Sequence, residues 1–307
     1  MSVATLPTVA PTHQIPATEG ISTRYREIDA WPPELALQAM WEGQMDAVAA
    51  VRPALAAIAA AVACAAPRLR RGGRLAYCGA GTSGRIGVQD GAELPPTFDW
   101  PAERLVLLLA GGDAAFTRSI ENAEDDRKAA RDAVAAHGLG EDDVVIGIAA
   151  SGSTPFTVEA IRAAGERGAL TLGIANSPDG ALLAAATCPI LVETGPEAIA
   201  GSTRMKAGTA QKVVLNLFST SLMLQLGRVH DGLMVDMQAR NAKLRDRAIR
   251  MLRHLTGAGD DAIRDALARS DGRVKTAVLV LRGLDRAAAD ALLAACDGRL
   301  RQALERL

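Results

Sequence analysis

The sequence has few of the features that mark several common classes of protein. Of its 307 residues, 3 are Trp, 2 Tyr and 4 Phe, too few for a protein that binds single strands by stacking bases on aromatic rings. Neither sign of charge dominates, because 34 Lys+Arg face 35 Asp+Glu and the net charge is −1. General nucleic-acid binding needs a basic surface, so that class is excluded.

Cysteine and histidine spacing gives no sign of a metal site. The 4 cysteines stand far apart without a CxxC pair, and the 4 histidines lack HxxxH spacing. Isolated cysteines of this kind are typical of small buried side chains in a reducing compartment. We therefore expect no structural metal.

Long apolar runs are also missing. The richest stretch, 54–66, is short and Ala-dominated, whereas a bilayer span needs about 20 residues. The N-terminus lacks a basic segment followed by an apolar one, as a secretory signal would require. We expect a cytoplasmic protein that does not contact membranes.

The spacing of apolar residues changes along the chain. Apolar residues recur at helical spacing over 33–66, with Pro53 between two predicted helices. From residue 73, short apolar runs alternate with helix-length segments such as 113–135 and 155–167. The runs, 74–78, 104–110, 144–149, 170–175 and 189–192, are typical of parallel strands covered on both faces.

This pattern predicts an α/β fold: a doubly wound, mainly parallel five-stranded sheet with N-terminal helices and a small all-helical C-terminal appendix. Helical patterns cover 202–226 and 234–255, and three short helices are expected over 260–270, 273–281 and 285–296. The predicted division is an arm with helices (1–56), the α/β domain (57–230), a linking helix (231–255) and a small helical domain (256–307).

The first predicted strand runs into Gly79-Ala80-Gly81-Thr82-Ser83-Gly84-Arg85. Its GxGxxG spacing is that of a dinucleotide site, which also needs an acidic residue about 20 positions later at the end of the second strand. Glu103 precedes that strand and Asp113 comes too late. The glycines and hydroxyls instead suit an anion at a helix N-terminus, although a tight turn with a Ser or Thr cap would look the same.

A second hydroxyl-rich loop follows the third predicted strand. Ser151, Ser153 and Thr154 flank Gly152, and Pro155 stands at the first position of the next helix. Ligands of open α/β sheets lie at the carboxyl ends of the strands. Two such loops without a GxxxxGK motif indicate a small phosphate ester rather than a nucleoside triphosphate.

A third segment, 195–209, carries Glu197, Ser202, Thr203 and Lys206. Ser202 and Thr203 could simply cap the helix that follows. A functional interpretation places Glu197 and the hydroxyls in a pocket, with Lys206 supplying positive charge.

Together, several segments closely resemble those of the N-acetylmuramic acid 6-phosphate etherases. These enzymes belong to the sugar isomerase (SIS) domain class and are related to the glucokinase regulatory protein. The resemblance covers most of the chain after residue 18. The matching segments, in the family's order, are 18–19, 79–85, 93–97, 121–126, 147–155, 195–212, 233–236 and 241–244.

The resemblance implies a lyase that cleaves the D-lactyl ether of N-acetylmuramate 6-phosphate, giving N-acetylglucosamine 6-phosphate and D-lactate in peptidoglycan recycling. It implies a homodimer without metal or redox cofactor. The family's proton-donor glutamate matches Glu93, and its second catalytic glutamate matches Glu124. The predicted substrate- and phosphate-binding residues are Gly81, Thr82, Ser83, Ser151, Ser153, Thr154, Glu197, Ser202 and Lys206.

Ordinary structural roles remain open for these residues. Glu124 belongs to an acidic cluster, and such clusters are usually solvated faces. Ser153 stands where the family commonly carries Arg. Two other functions also remain open: a sugar-phosphate isomerase, which needs no acid at a C3 ether, and a non-catalytic sugar-phosphate sensor, which usually carries two SIS domains or a DNA-binding helix-turn-helix.

Overall fold

The computed structural model describes residues 16–237 and 242–307. An N-terminal helical segment precedes an α/β domain, and short helices follow it. The predicted α/β fold is confirmed. The helices are α1 (Pro33–Ala49), α2 (Leu55–Arg70), α3 (Gly81–Phe98), α4 (Ala114–Thr117), α5 (Arg127–Ala136), α6 (Pro155–Glu166), α7 (Ala181–Ala185), α8 (Lys206–Gln225), α9 (Ala242–Thr256), α10 (Asp260–Arg269), α11 (Val274–Leu281), α12 (Arg286–Ala295) and α13 (Leu300–Glu305).

Five parallel strands form one sheet in the order β2-β1-β3-β4-β5. Each of the five predicted apolar runs overlaps one strand, with bounds that differ by at most one residue at either end. β1 lies between β2 and β3, where its Leu75 is opposite Leu105 on one side and Val144 on the other. The strands are β1 (Leu75–Gly79), β2 (Leu105–Leu109), β3 (Val144–Ala149), β4 (Leu170–Ala175) and β5 (Cys188–Leu191).

Helices cover both faces of the sheet, which explains why the strands are almost uniformly apolar. Alternate side chains point to opposite faces. Tyr77 of β1 packs in a core with residues of α1, α2, α3 and α8, whereas Ala76 and Cys78 pack in a second core with α5, α6 and α7.

α1 and α2 are separated by a 3₁₀ turn at Arg52–Ala54, as Pro53 predicted. The stretch Pro33–Arg70 is nevertheless long and apolar enough to cross a membrane by length and composition alone, with a mean hydropathy of 2.0 in its best window. The unbroken apolar runs of the sequence did not predict this, because each of them is shorter than a bilayer span. One third of that window, 33%, is buried in the fold, where both helices pack against α8.

The composition of 113–135 predicted a single helix, but the structure has two helices there with a loop between them. α4 ends at Thr117, a 3₁₀ turn follows at Ala123–Asp125, and α5 begins at Arg127. Asn122 adopts a left-handed conformation with φ 60°, which a continuous helix does not allow. The helix therefore breaks, and a loop forms at the carboxyl edge of the sheet.

The C-terminal helices have a hydrophobic core of their own, built from α9 to α13. Four of them fall in predicted helical stretches, whereas α13 was not predicted. Asp236 accepts from Arg228 (3.4 Å) and Lys275 (2.8 Å), and Arg228 donates to the carbonyls of Phe98 (2.7 Å) and Asp99 (2.9 Å) at the end of α3. These contacts join the helical group to the α/β domain.

Residues 238–241 of the predicted helix 234–255, and residues 1–15 of the arm, lie outside the described residues.

Candidate active site

The first glycine loop turns directly from β1 into α3. Ala80 is extended and α3 begins at Gly81, without a side-chain cap. A Cβ at Gly84 would lie 2.7 Å from the carbonyl carbon of Gly79, so glycine lets the helix sit close to the strand. The N–H groups of the first helical turn have no partner within the helix. Together with the hydroxyls of Thr82 and Ser83 they offer donors for an anion.

A cavity of about 360 Å³ opens beside this loop. Arg85 of α3 lines it, and its guanidinium donates to the carbonyls of Ala115 (3.0 Å) and Arg118 (3.1 Å). Arg85 thereby fastens the loop after β2 to α3. The other lining residues are Ala80, Gly81, Ala110, Ser119, Ile120, Glu121, Asn122, Ala123 and Glu124.

Glu124 lies on the 3₁₀ turn of this loop and lines the cavity. Asn122, in its left-handed conformation, begins the turn. Asp126 ends it as the N-cap of α5, because its carboxylate accepts from the N–H of Ala129 at 2.8 Å. A second carboxylate, Glu121, lines the same cavity. The site therefore combines two carboxylates with the side chains of Arg85 and Arg118. Of these four residues, only Glu124 was predicted from the sequence as a site residue.

The second loop follows β3, which pairs directly with β1, so both loops lie at the same edge of the sheet. The Ser151 hydroxyl accepts from the N–H of Ser153 at 3.2 Å. Gly152 has φ 69° and lies against Gly180. Thr154 precedes Pro155, the first residue of α6, as predicted. Ser151, Ser153 and Thr154 are not among the residues that line the described cavity.

The third segment adjoins the first loop, because a Cβ at Gly208 would lie 3.6 Å from the methyl carbon of Thr82. Glu197 is 1% exposed, and its carboxylate accepts from the N–H groups of Lys206 (2.9 Å) and Ala207 (3.0 Å). It therefore caps α8. The ammonium of Lys206 donates to the carbonyl of Pro196 at 3.3 Å.

Ser202 is half-buried in this third segment. The N-terminal turn reaches the same segment: a Cβ at Gly201 would lie 2.9 Å from an oxygen of Glu19. Thr18, which is fully buried, lies 3.4 Å from the hydroxyl of Ser177. This 3₁₀ turn, Ala17–Glu19, is thus held beside the third segment.

Glu93 lies elsewhere. It is exposed on α3, 12 residues beyond Gly81, which corresponds to about 18 Å along a helix. It is not among the residues that line the cavity. The structure thus brings Gly81 and Glu124 to one cavity but leaves Glu93 apart from it within one chain.

Within 16–237 and 242–307 there is no group of three or more His, Cys, Asp or Glu side chains arranged to hold a metal ion.

Two protein families match the domain that carries this site. The glucokinase regulatory protein N-terminal SIS domain matches residues 57–164, and the SIS domain matches residues 126–221. The first match covers β1 to β3 with the first two loops, and the second covers β3 to β5 with the second loop and the third segment.

Whole-length relatives decide the family. The chain is 49% identical to the N-acetylmuramic acid 6-phosphate etherase of Deinococcus radiodurans over 94% of both chains. It is 47% identical to that of Streptomyces avermitilis, over 94% of this chain and 93% of the relative. The chain belongs to the N-acetylmuramic acid 6-phosphate etherase family. Its resemblance to that family is therefore confirmed.

The fold of this etherase-family chain is also found in a solved structure from Bacteroides fragilis, described as a phosphosugar isomerase involved in capsule formation. The two share 20% of their sequence with a TM-score of 0.50, over 66% of this chain and 99% of the other. At that identity the likeness shows the SIS fold alone.

Proposed function

We propose that this protein is a carbon–oxygen lyase that cleaves the D-lactyl ether of N-acetylmuramate 6-phosphate, giving N-acetylglucosamine 6-phosphate and D-lactate. The observation that carries this proposal is whole-length identity of 45–49% to etherases, together with Glu124 in a cavity beside a phosphate-type loop. The substrate is a phosphorylated, charged sugar, and we place the reaction in the cytoplasm, in the recycling of peptidoglycan amino sugars.

The substrate phosphate would bind at the first loop. The free N–H groups at the start of α3 and the hydroxyls of Thr82 and Ser83 provide the donors. The second loop, with Ser151, Ser153 and Thr154, extends from the neighbouring strand at the same edge. Ser202 and Lys206 of the third segment would close the third side, and Glu197 would hold that segment in place. All of the residues named for these three loops lie within 57–230, the α/β domain predicted from the sequence.

The chemistry requires an acid and a base rather than a metal. In the ring-opened sugar, the C1 aldehyde makes the C2 proton acidic, and the ether oxygen on C3 is β to that carbonyl. Glu124 would take the C2 proton while Glu93 protonates the departing lactyl oxygen as the C3–O bond breaks. Water then adds at C3, giving its proton to Glu93 while C2 recovers a proton from Glu124. Each positioned group contributes a factor of about 10²–10⁴.

This division of roles requires Glu93 to reach a cavity that lies about 18 Å away along its own helix. We propose that it reaches the cavity of a second copy of the chain, so that the active enzyme is a homodimer with shared sites. α8 packs against both α1 and α3, which places the exposed Glu93 on the same side of the sheet as α1.

An exposed apolar face on that side supports the dimer. Leu37, Trp41, Met45 and Val48 recur at one helical face of α1 and are 44–64% exposed. Contiguous exposed apolar surface of this kind marks interaction sites, and homodimers with two-fold symmetry are the commonest oligomers.

The function is tested by incubating purified protein with N-acetylmuramate 6-phosphate, without added metal, and assaying D-lactate enzymatically. Release of D-lactate together with N-acetylglucosamine 6-phosphate is the expected result. An isomerised sugar phosphate without D-lactate would replace the proposal with an isomerase. Binding without turnover would replace it with a sensor.

A further inference from the structure

A second cavity, of about 390 Å³, lies at the other end of α8. α8 has 20 residues and is therefore about 30 Å long, so this cavity is remote from the glycine loops. It forms where the α/β domain meets α13. Its lining residues are Leu224, Gln225, Gly227, Val229, His230, Asp231, Gly232, Arg299, Leu300, Arg301 and Gln302.

Arg299 is held in this cavity with unused donors. Its side chain packs over Gly227, where a Cβ would lie 2.9 Å from the Cγ of Arg299 and where φ is +72°. The Nε of Arg299 is buried and has no hydrogen-bond partner among the described residues. A guanidinium carries five N–H donors and cannot lose its charge. Burying such a donor without a partner is costly, which favours an occupant that accepts from it.

Further positive charge surrounds Arg299. Arg301 lines the cavity and has no ion pair with any residue in 16–237 or 242–307. Burial and the nearby Arg299 lower the pKa of Arg70, against the opposing effect of Asp297. Burial and Arg301 likewise lower the pKa of His230, which Asp231 opposes. The like charges are thus close enough to act on one another.

Two carboxylates, Asp231 and Asp297, lie nearby, but the pKa values of His230 and Arg70 stay lowered despite them. The Asp231 carboxylate lies 3.2 Å from the ring nitrogen of His254. The position of Arg70 has a structural explanation. Its guanidinium donates to the carbonyl of Gln225 at 2.7 Å, at the negative end of the α8 dipole. Among the described residues, this explanation leaves the Nε of Arg299 without a hydrogen-bond partner and Arg301 without an ion pair.

We propose that this second cavity binds the phosphate group of a small organic phosphate. Guanidinium forks match phosphate oxygens in geometry as well as in charge. The cavity volume falls within the range of small-molecule sites and leaves room for an organic group beside the phosphate. This site is separate from the one assigned to catalysis.

The test follows the imidazole of His230 by NMR as pH is varied, with its signal assigned from a His230→Gln variant. The probes are inorganic phosphate and N-acetylglucosamine 6-phosphate, each compared with chloride at equal ionic strength. A bound phosphate stabilises the imidazolium and raises the pKa of His230. We expect this upward shift with both probes, at lower concentration for the sugar phosphate. The unphosphorylated sugar should have no effect.

The matched variants remove two positive charges each. Arg299→Gln/Arg301→Gln should abolish the phosphate-dependent shift. Arg264→Gln/Arg269→Gln, on the exposed surface of α10, should keep it. The single Arg301→Gln variant changes an exposed position and should weaken the shift. It serves as the test if the double variant does not fold. No shift with either probe in the wild-type protein, or an equal shift in Arg301→Gln, overturns the proposal. Equal potency of the two probes would overturn the organic-phosphate assignment.

Discussion

The phenol of Tyr77 donates a 2.8 Å hydrogen bond to the carboxylate of Asp90, and both residues are at most 2% exposed. Asp90 also accepts from Asn216 (2.6 Å) and Ser219 (3.3 Å). Burial, and secondarily the charge and hydrogen bond of Asp90, raise the pKa of Tyr77. One carboxylate thus joins β1, α3 and α8, and it fixes the helix that carries both the phosphate-type loop and Glu93.

Tyr77→Phe should therefore destabilise the fold. The change removes one donor from a buried carboxylate, for which the cost is about 1–3 kcal/mol. Urea unfolding followed by circular dichroism measures it. Tyr25→Phe is the matched control, because the Tyr25 hydroxyl makes only a 3.5 Å contact with the carbonyl of Ala39. Equal losses in the two variants would contradict the role given to Asp90.

Glu197→Ala should destabilise the start of α8. Two N–H groups of the first turn lose their acceptor, and loss of a helix cap costs about 0.5–2 kcal/mol. Glu193→Ala changes an exposed glutamate nearby and should have little effect. The two variants are compared by urea unfolding, and the cap is refuted if they are equally stable. A rise in KM at temperatures where Glu197→Ala is folded would additionally show that the segment held by Glu197 contributes to substrate binding.

The ion pair between Arg74 and Asp143 should make stability depend on acidic pH. Arg74 donates to Asp143 at 2.7 and 3.1 Å. Burial opposes ionisation of Asp143, but hydrogen bonds from Arg74 and Gly140 outweigh it and lower its pKa. A carboxyl whose pKa is lower in the folded state contributes stability that is present above its unfolded pKa of about 3.9 and is lost as pH falls further.

Asp143→Asn should accordingly be less stable than the wild type at pH 7, with the difference shrinking below about pH 4. Urea unfolding between pH 2 and 7 gives the comparison. Asp142→Asn, which removes the partner of a surface pair with Arg71, is the control and should show a much smaller difference. A pH-independent gap between Asp143→Asn and the wild type would refute the linkage.

The sequence predicted the sheet well because its strands are short apolar runs between helices. It also placed Pro155 at the start of α6. It did not predict the break in 113–135, because the left-handed turn at Asn122 is stabilised by the surrounding loop rather than by local helix propensity. α13 was missed because its six residues carry too short a pattern.

The candidate site was predicted only where residues follow a strand or match the family. The glycine loops and Glu124 were found in this way. Arg85 was quoted within its motif but not as a site residue, although its position one turn into α3 was a usable signal. The contact between Glu197 and the start of α8 could not be predicted, because it depends on the path of the loop between them.

Mixing two inactive variants tests the central claim most directly. Glu93→Gln and Glu124→Gln chains carrying different tags are co-expressed, and dimers containing one of each are isolated. If each site combines Glu124 of one subunit with Glu93 of the other, one site of every mixed dimer is intact. D-lactate release should then be about half that of the wild-type dimer, whereas each variant alone loses most turnover. Mixed dimers as inactive as the separate variants would contradict the shared site.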